Sequence, residues 1–297
     1  MVKRFNDGEL AEFAAFYEEH GAVKLPGLIE PDWVSRILHE VDVAAAHADD
    51  PEPKHAISYG RGPGRMTIRY MWRVNPVVRS FLLREELVEA LARIVDTSEL
   101  RLWFDLTFIH DTSAPGADGG EGSRWHHDAS AFVWKGQKLP SLWMALTPSD
   151  ENRSRLMFID GSHKKCPGYY RPPSNSVNDK GETLSGYYPV PECDALVAEG
   201  KAKILTWDCQ PGDAIVIHPQ TLHGARGVKG NQGRRVAMTT RWLGDDCRWV
   251  PGLYDAGGRG IPGLDGIPGL PQSELNKFYL GDRPRGDLFP LVWPKAA

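Results

Sequence analysis

From residue 100 onward the chain runs as short segments of alternating apolar and polar residues, with little room between them for crossover helices. That excludes a parallel, doubly wound sheet. LRLWFDLTFIH (100–110) sets Leu102, Phe104, Leu106 and Phe108 against Trp103, Asp105 and Thr107, the period of a strand with one buried face. SLWMALTP, RLMFIDGSH, AKILTWDCQPGDAIVIHP and RRVAMTTRWLG continue the series between Gly, Pro, Asn and Asp punctuation. Short antiparallel strands of this kind close into a double-sheet jelly roll or barrel.

Helical spacing fills the region before residue 98. Leu10, Phe13, Phe16 and Tyr17 recur on one face of a segment that Gly21 ends, and a short strand, AVKL, follows. Pro31-Asp32 opens a second helix carrying Trp33, Ile37, Leu38 and Val41, and a third is predicted over roughly 76 to 94. Between them, residues 49–66 are polar and rich in Gly and Pro, the composition of a mobile loop or lid. The expected architecture is therefore α+β, with a jelly-roll core (99–249), an N-terminal helical layer and lid (1–98), and an irregular C-terminal wrap (250–297), all in one domain. The wrap contains GIPGL twice, too short a repeat for a solenoid, and Phe289 and Trp293 are placed to anchor its end.

With 41% hydrophobic and 25% charged residues the chain has the balance of a globular protein, and a net charge of -4 offers no global attraction for nucleic acid. No apolar run approaches the roughly 20 residues of a membrane span, and the N-terminus lacks the apolar core of a signal peptide, so a cytoplasmic protein is expected. Cys166, Cys193, Cys209 and Cys247 are far apart with no CxxC pair, which points to free thiols rather than a zinc site or disulfide scaffold.

Chemistry concentrates in Trp125-His126-His127-Asp128. In an extended segment His126 and Asp128 share a face while His127 points away. Two such ligands need a third from elsewhere. His223, after the strong strand GDAIVIHPQTLHG, is the best candidate; His218 and His163 fit less well, and GSH at 161–163 reads as a structural element. Two histidines and one carboxylate cap a face of an octahedron and leave three positions open, the ligand set of non-haem Fe(II) oxygenases. A co-substrate such as 2-oxoglutarate would need a partner for its far carboxylate, and arginine's planar fork suits it. RRVAMTTRW offers Arg234 and Arg235, of which strand alternation lets only one face inward.

These segments resemble the phytanoyl-CoA dioxygenase family of Fe(II)/2-oxoglutarate-dependent oxygenases over nearly the whole chain. WHHD resembles its W-H-x-D, residues 142–164 its strand, turn and G-S-H segment, PGDAIVIHPQTLHGARG its distal-histidine strand, and RRVAMTTRW its closing strand. The resemblance implies His126, Asp128 and His223 as iron ligands and Trp143 as a residue lining the co-substrate site. It also implies Arg234, eleven positions beyond the distal histidine, as the co-substrate's partner. The chain departs from the family at Glu151-Asn152-Arg153-Ser154-Arg155, where a glycine is usual, and at His110, where a lysine often stands. Because Asp128 is present, the resemblance implies C–H hydroxylation of a small molecule by O₂, with release of succinate and CO₂, rather than halogenation. Desaturation or cyclisation at the same site, a cupin-like metalloenzyme without 2-oxoglutarate, and a non-catalytic jelly-roll module are the alternatives.

His127, Trp134, Arg69 and His110 are candidate substrate contacts. Trp103, Trp125 and Phe132 are core residues by default, since aromatics dominate cores. Arg61, Arg65, Arg69 and Arg73 recur every four residues and would form a solvated face or an anion-binding rim. Arg235 reads as a solvated strand residue.

Overall fold

The computed structural model describes residues 2–50, 54–114, 122–132, 134–166, 168–171, 187–227, 233–250 and 278–294. The GIPGL pair lies outside them. Asn6 and Glu9 form a reciprocal capping box at the start of α1 (Asp7–His20), and Gly21, with φ 80°, ends it. β1 (Ala22–Leu25) follows, then α2 (Pro31–Ala46), which has proline in its first turn.

The segment expected to be a lid is mostly a hairpin, β2 (Ser58–Gly62) with β3 (Arg65–Arg69). Its polar residues sit on a sheet edge, where strands tolerate them. The helix expected over 76–94 is broken into α4 (Pro76–Leu82) and α5 (Glu85–Ile94), after a single turn α3 (Met71–Val74). Arg84 takes extended backbone (φ -67°, ψ 132°) between them, and Glu85 and Glu86 open the new helix.

The strand series then begins with β4 (Leu100–Asp111), β5 (Ser123–His126), β6 (Trp134–Lys135), β7 (Ser141–Ala145) and β8 (Leu156–Ile159). β9 (Tyr169–Arg171), β10 (Tyr187–Pro189), the short α6 (Cys193–Ala198), β11 (Ile204–Thr206) and β12 (Ala214–Ile217) follow. The series ends with β13 (His223–Ala225), β14 (Arg234–Gly244), β15 (Arg248–Trp249) and β16 (Leu291–Trp293).

Two sheets carry the site. The larger runs β1-β12-β7-β14-β4-β3-β2 with β16 added to β4, and the smaller runs β11-β8-β13-β5. Their pairings are antiparallel. Trp143, Ile215, Ile217 and Ala237 of the large sheet meet Phe158 of the small one, while Ile37, Phe81, Leu91 and Trp242 belong to the core between the large sheet and the helices. Helices, large sheet and small sheet thus stack as three layers, the jelly-roll arrangement expected.

β4 departs from simple alternation. Its pairing with β14 shifts register, with Arg241 opposite Phe104 but Trp242 opposite Leu102. Trp103 is the extra residue, and a bulge reverses which face later side chains take. Leu102 therefore joins the helix-side core, while beyond the bulge Asp105, Thr107 and Ile109 take that side. Asp105 is fully buried because its carboxylate accepts the Met71 and Trp72 amides (3.1 and 2.9 Å). Phe104, Leu106, Phe108 and His110 face the barrel interior and are only half buried. The four apolar residues expected on one buried face are thus divided by the bulge.

At the far end, Phe289 is buried and Trp293 half buried, as anchoring requires.

Candidate metal centre and co-substrate pocket

β5 and β13 pair so that His126 stands directly opposite His223. Cross-strand partners share a face, and the two rings lie 4.3 Å apart. His127 continues in extended backbone (φ -126°, ψ 149°) before a 3-10 turn begins at Asp128. Residues i and i+2 therefore still converge, although the carboxylate is not itself in a strand. The ligand atoms of His126, Asp128 and His223 lie within 4.8 Å of one another, the one such cluster among the described residues. His223 opens β13 in the small sheet instead of ending the preceding strand, as its sequence position suggested.

Each ligand is held in a metal-binding form. His126 Nδ1 lies 2.7 Å from the Arg124 carbonyl and His223 Nδ1 2.9 Å from that of Thr221. A carbonyl only accepts, so each Nδ1 carries a proton and each Nε2 is the nitrogen left to face a metal. Burial, with His126 adjacent, lowers the His223 pKa to about 4, which keeps the ring neutral at pH 7. Burial pushes the Asp128 carboxyl up, but Arg241, His223, His126 and the Ser141 hydroxyl outweigh it and hold it far below the usual range. Ser141 Oγ (2.6 Å) and Arg241 Nη2 (3.0 Å) both donate to Asp128 Oδ2. Oδ1 points toward His223 Nε2, 4.0 Å away. Two imidazoles and one carboxylate oxygen, mutually oriented, fit a divalent ion with an open coordination face.

Of the two arginines at the start of β14, the inner one is Arg235. Arg234 points outward to an ion pair with Asp42 of α2, and its side chain is 34% exposed. This corrects the expectation from counting beyond the distal histidine. Arg235 alternates with Ala237, Thr239 and Arg241 onto the barrel side, with its guanidinium 5.4 Å from the Trp143 ring. It is 6% exposed, Nη2 donates to the Ser154 carbonyl (3.2 Å), and Nε has no partner among the described residues. Burial lowers its pKa to about 10, so it remains a cation at neutral pH.

The remaining candidates divide. His110 stands opposite both Arg235 and Arg65, and burial, with those two cations, lowers its pKa to about 4. Arg69 is opposite Leu106, so it projects toward the same side as His110. The four-residue arginine spacing does not survive folding: Arg61 pairs with Asp49, and Arg73 stacks on Trp72 and donates to the Leu288 carbonyl. His127 faces away from the ligands as expected, but it is fully buried, and its Nε2 accepts the Tyr170 amide at 2.8 Å. It supports β9 instead of meeting a substrate. Trp134 is also no substrate contact, because its buried ring packs edge-on against Trp249, Phe278 and Phe289 at 5.0–5.3 Å. His218 and His163 pair with each other outside the ligand cluster, 4.7 Å between rings. All four cysteines are free. Arg241 and Ser141 were not singled out from sequence. Arg241's signal was its even spacing from Arg235 on one strand, whereas Ser141 offered none.

The family model for phytanoyl-CoA dioxygenase (PhyH) matches residues 17–236. The multifunctional dioxygenase prhA of Penicillium brasilianum is 24% identical over 238 residues, covering 76% of this chain and 69% of that protein. The epimerase SnoN from nogalamycin biosynthesis, crystallised with Fe3+, alpha ketoglutarate and nogalamycin RO, superposes with a TM-score of 0.70 at 20% identity, covering 97% of this chain and 100% of SnoN. EctD from S. alaskensis with 2-oxoglutarate and 5-hydroxyectoine gives 0.63 at 16% identity, covering 87% of this chain and 85% of EctD. No helix among the described residues is long and apolar enough to cross a membrane. The metal-ready triad and a family match spanning it lead to one assignment: the chain belongs to the phytanoyl-CoA dioxygenase (PhyH) family.

Proposed function

We propose that the protein is an Fe(II)- and 2-oxoglutarate-dependent oxygenase that hydroxylates an unactivated C–H bond of a small molecule. His126, Asp128 and His223 hold the iron, which when bound supplies the activation of O₂. The observation that carries the 2-oxoglutarate reading is Arg235: a buried guanidinium with no carboxylate partner among the described residues is costly until an anion reaches it. A dicarboxylate chelating the metal at one end and meeting Arg235 at the other satisfies both needs. Trp143, whose ring lies 5.4 Å from that guanidinium, would contact the same end of the co-substrate.

The chain's own share of the chemistry is orientation and shielding. The carbonyls of Arg124 and Thr221 fix the imidazole tautomers, and Ser141 and Arg241 fix the carboxylate. Phe104, Leu106 and Phe108 line the half-buried wall where an apolar part of the substrate is held near the metal. Thr67 and Arg69 of β3 adjoin that wall through their register with Phe108 and Leu106.

Succinate formation from 2-oxoglutarate under air tests the reading. It is expected in the iron-loaded protein, to be accelerated by a substrate drawn from small-molecule pools, and to be lost in His126→Ala. Equal succinate formation with and without iron would sink it.

A further inference from the structure

Arg241 is a second buried cation of the barrel, 8% exposed, and is neither one of the candidate ligands nor the proposed co-substrate partner. Its Nη2 donates to Asp128 Oδ2 at 3.0 Å and its Nη1 donates to Thr239 Oγ1. Phe104 and Phe132 lie 5.8 and 5.6 Å from the guanidinium carbon, so the fork is walled in as well as bonded. Ser141 Oγ reaches the same Oδ2 at 2.6 Å. Both donors thus converge on one oxygen of the carboxylate and leave the other directed toward His223 Nε2.

This asymmetry bears on coordination. A carboxylate can take a divalent ion through one oxygen or through both. Three protein ligands leave three of about six positions open. A chelating 2-oxo acid would need two of these and the oxidant a third, so a second oxygen from Asp128 would compete for one of them. We propose that Arg241 is a positioning residue which, with Ser141, confines Asp128 to single-oxygen ligation and so reserves the positions that 2-oxoglutarate and O₂ require. The inference rests on the iron and 2-oxoglutarate reading of the site. Arginine suits the task because its planar fork bridges Asp128 and Thr239 at once, which a lysine ammonium on a flexible stem does less well.

The test uses the full-length protein, stripped of metal and titrated with Co(II), a redox-quiet probe, and then with 2-oxoglutarate. Calorimetry gives both affinities, and the visible Co(II) absorption reports the coordination sphere. In Arg241→Met the dissociation constant of 2-oxoglutarate on the Co(II) form is expected to rise about 10-fold, a loss of about 1.4 kcal/mol. The Co(II) affinity itself should change less, and the Co(II) band should differ from wild type before 2-oxoglutarate is added. Arg241→Lys should recover part of the loss. Unchanged 2-oxoglutarate affinity and an unchanged band in Arg241→Met would overturn the proposal. So would a loss of Co(II) affinity equal to or larger than that of 2-oxoglutarate, since Arg241 would then serve metal binding at large. Should Arg241→Met fail to fold by circular dichroism, Ser141→Ala carries the test, with the same order of losses expected and equal losses overturning it. Wild type binding Co(II) but not 2-oxoglutarate would instead defeat the underlying reading and the proposal with it.

Discussion

Arg234 and Arg235 are adjacent and chemically identical, yet one meets Asp42 outside the sheet and the other a tryptophan face inside it. The sequence shows that only one can face inward, because strand side chains alternate. It does not show which, because the number of residues between His223 and the following strand does not fix that strand's phase. Arg235→Met is expected to weaken 2-oxoglutarate binding by about 2–5 kcal/mol, the range for truncating one member of a buried charge pair. Arg234→Met removes only a part-exposed pair and should change it by no more than about 1 kcal/mol. Anaerobic calorimetry with metal present checks both. The clustering of the candidate triad was legible, since an His-x-Asp in extended backbone converges whatever follows, and His223 lies opposite His126 in the small sheet. Ser141 was not, because nothing in its neighbours marks a hydroxyl as a hydrogen-bond donor to a carboxylate thirteen residues away.

At the scale of elements, the bulge at Trp103 decides what β4 does. It turns Phe104, Leu106 and Phe108 toward the barrel and Asp105 toward α3. Asp105→Ala leaves the Met71 and Trp72 amides without their acceptor in a buried place and is expected to cost about 1–3 kcal/mol in urea unfolding. Burial pushes the Asp105 carboxyl up to about 6, against the pull of those two amides. A folded value above the unfolded one means the folded state holds the proton more tightly. This group's contribution to stability is therefore complete below the ordinary carboxylate range and lost as pH rises through about 6. Asp105→Asn keeps an acceptor without the charge and should flatten that part of the pH profile of unfolding. A slope identical to wild type would contradict the assignment. The alternation of residues 100–110 announced a strand, but not the bulge, because one inserted residue leaves the composition unchanged and alters only pairing. The hairpin at residues 58–69 was hidden for a related reason: polar edge strands and polar loops share a composition.

Over the whole molecule, the layered plan was legible because helical and strand periods occupy separate parts of the chain. What packs on Trp134 was not, since its ring partners Trp249, Phe278 and Phe289 come from far along the chain. The candidate ligands come from two strands of the small sheet and a turn whose carboxylate is tied to the large one, so a metal bound there would couple the two layers. A ligand that binds only the folded state adds about 2.7 kcal/mol at a hundredfold excess over its dissociation constant. Melting temperature should accordingly rise in two steps, with Co(II) and then with 2-oxoglutarate, and Arg235→Met should lose the second step while keeping the first. The central claim, a His-Asp-His iron site that presents 2-oxoglutarate to Arg235, is tested most directly by the visible charge-transfer absorption on adding Fe(II) and 2-oxoglutarate without oxygen. The band is expected in wild type and Arg234→Met, absent in His223→Ala, and shifted to far higher 2-oxoglutarate concentration in Arg235→Met. No band in wild type, or a band that depends on Arg234 and not on Arg235, would contradict it.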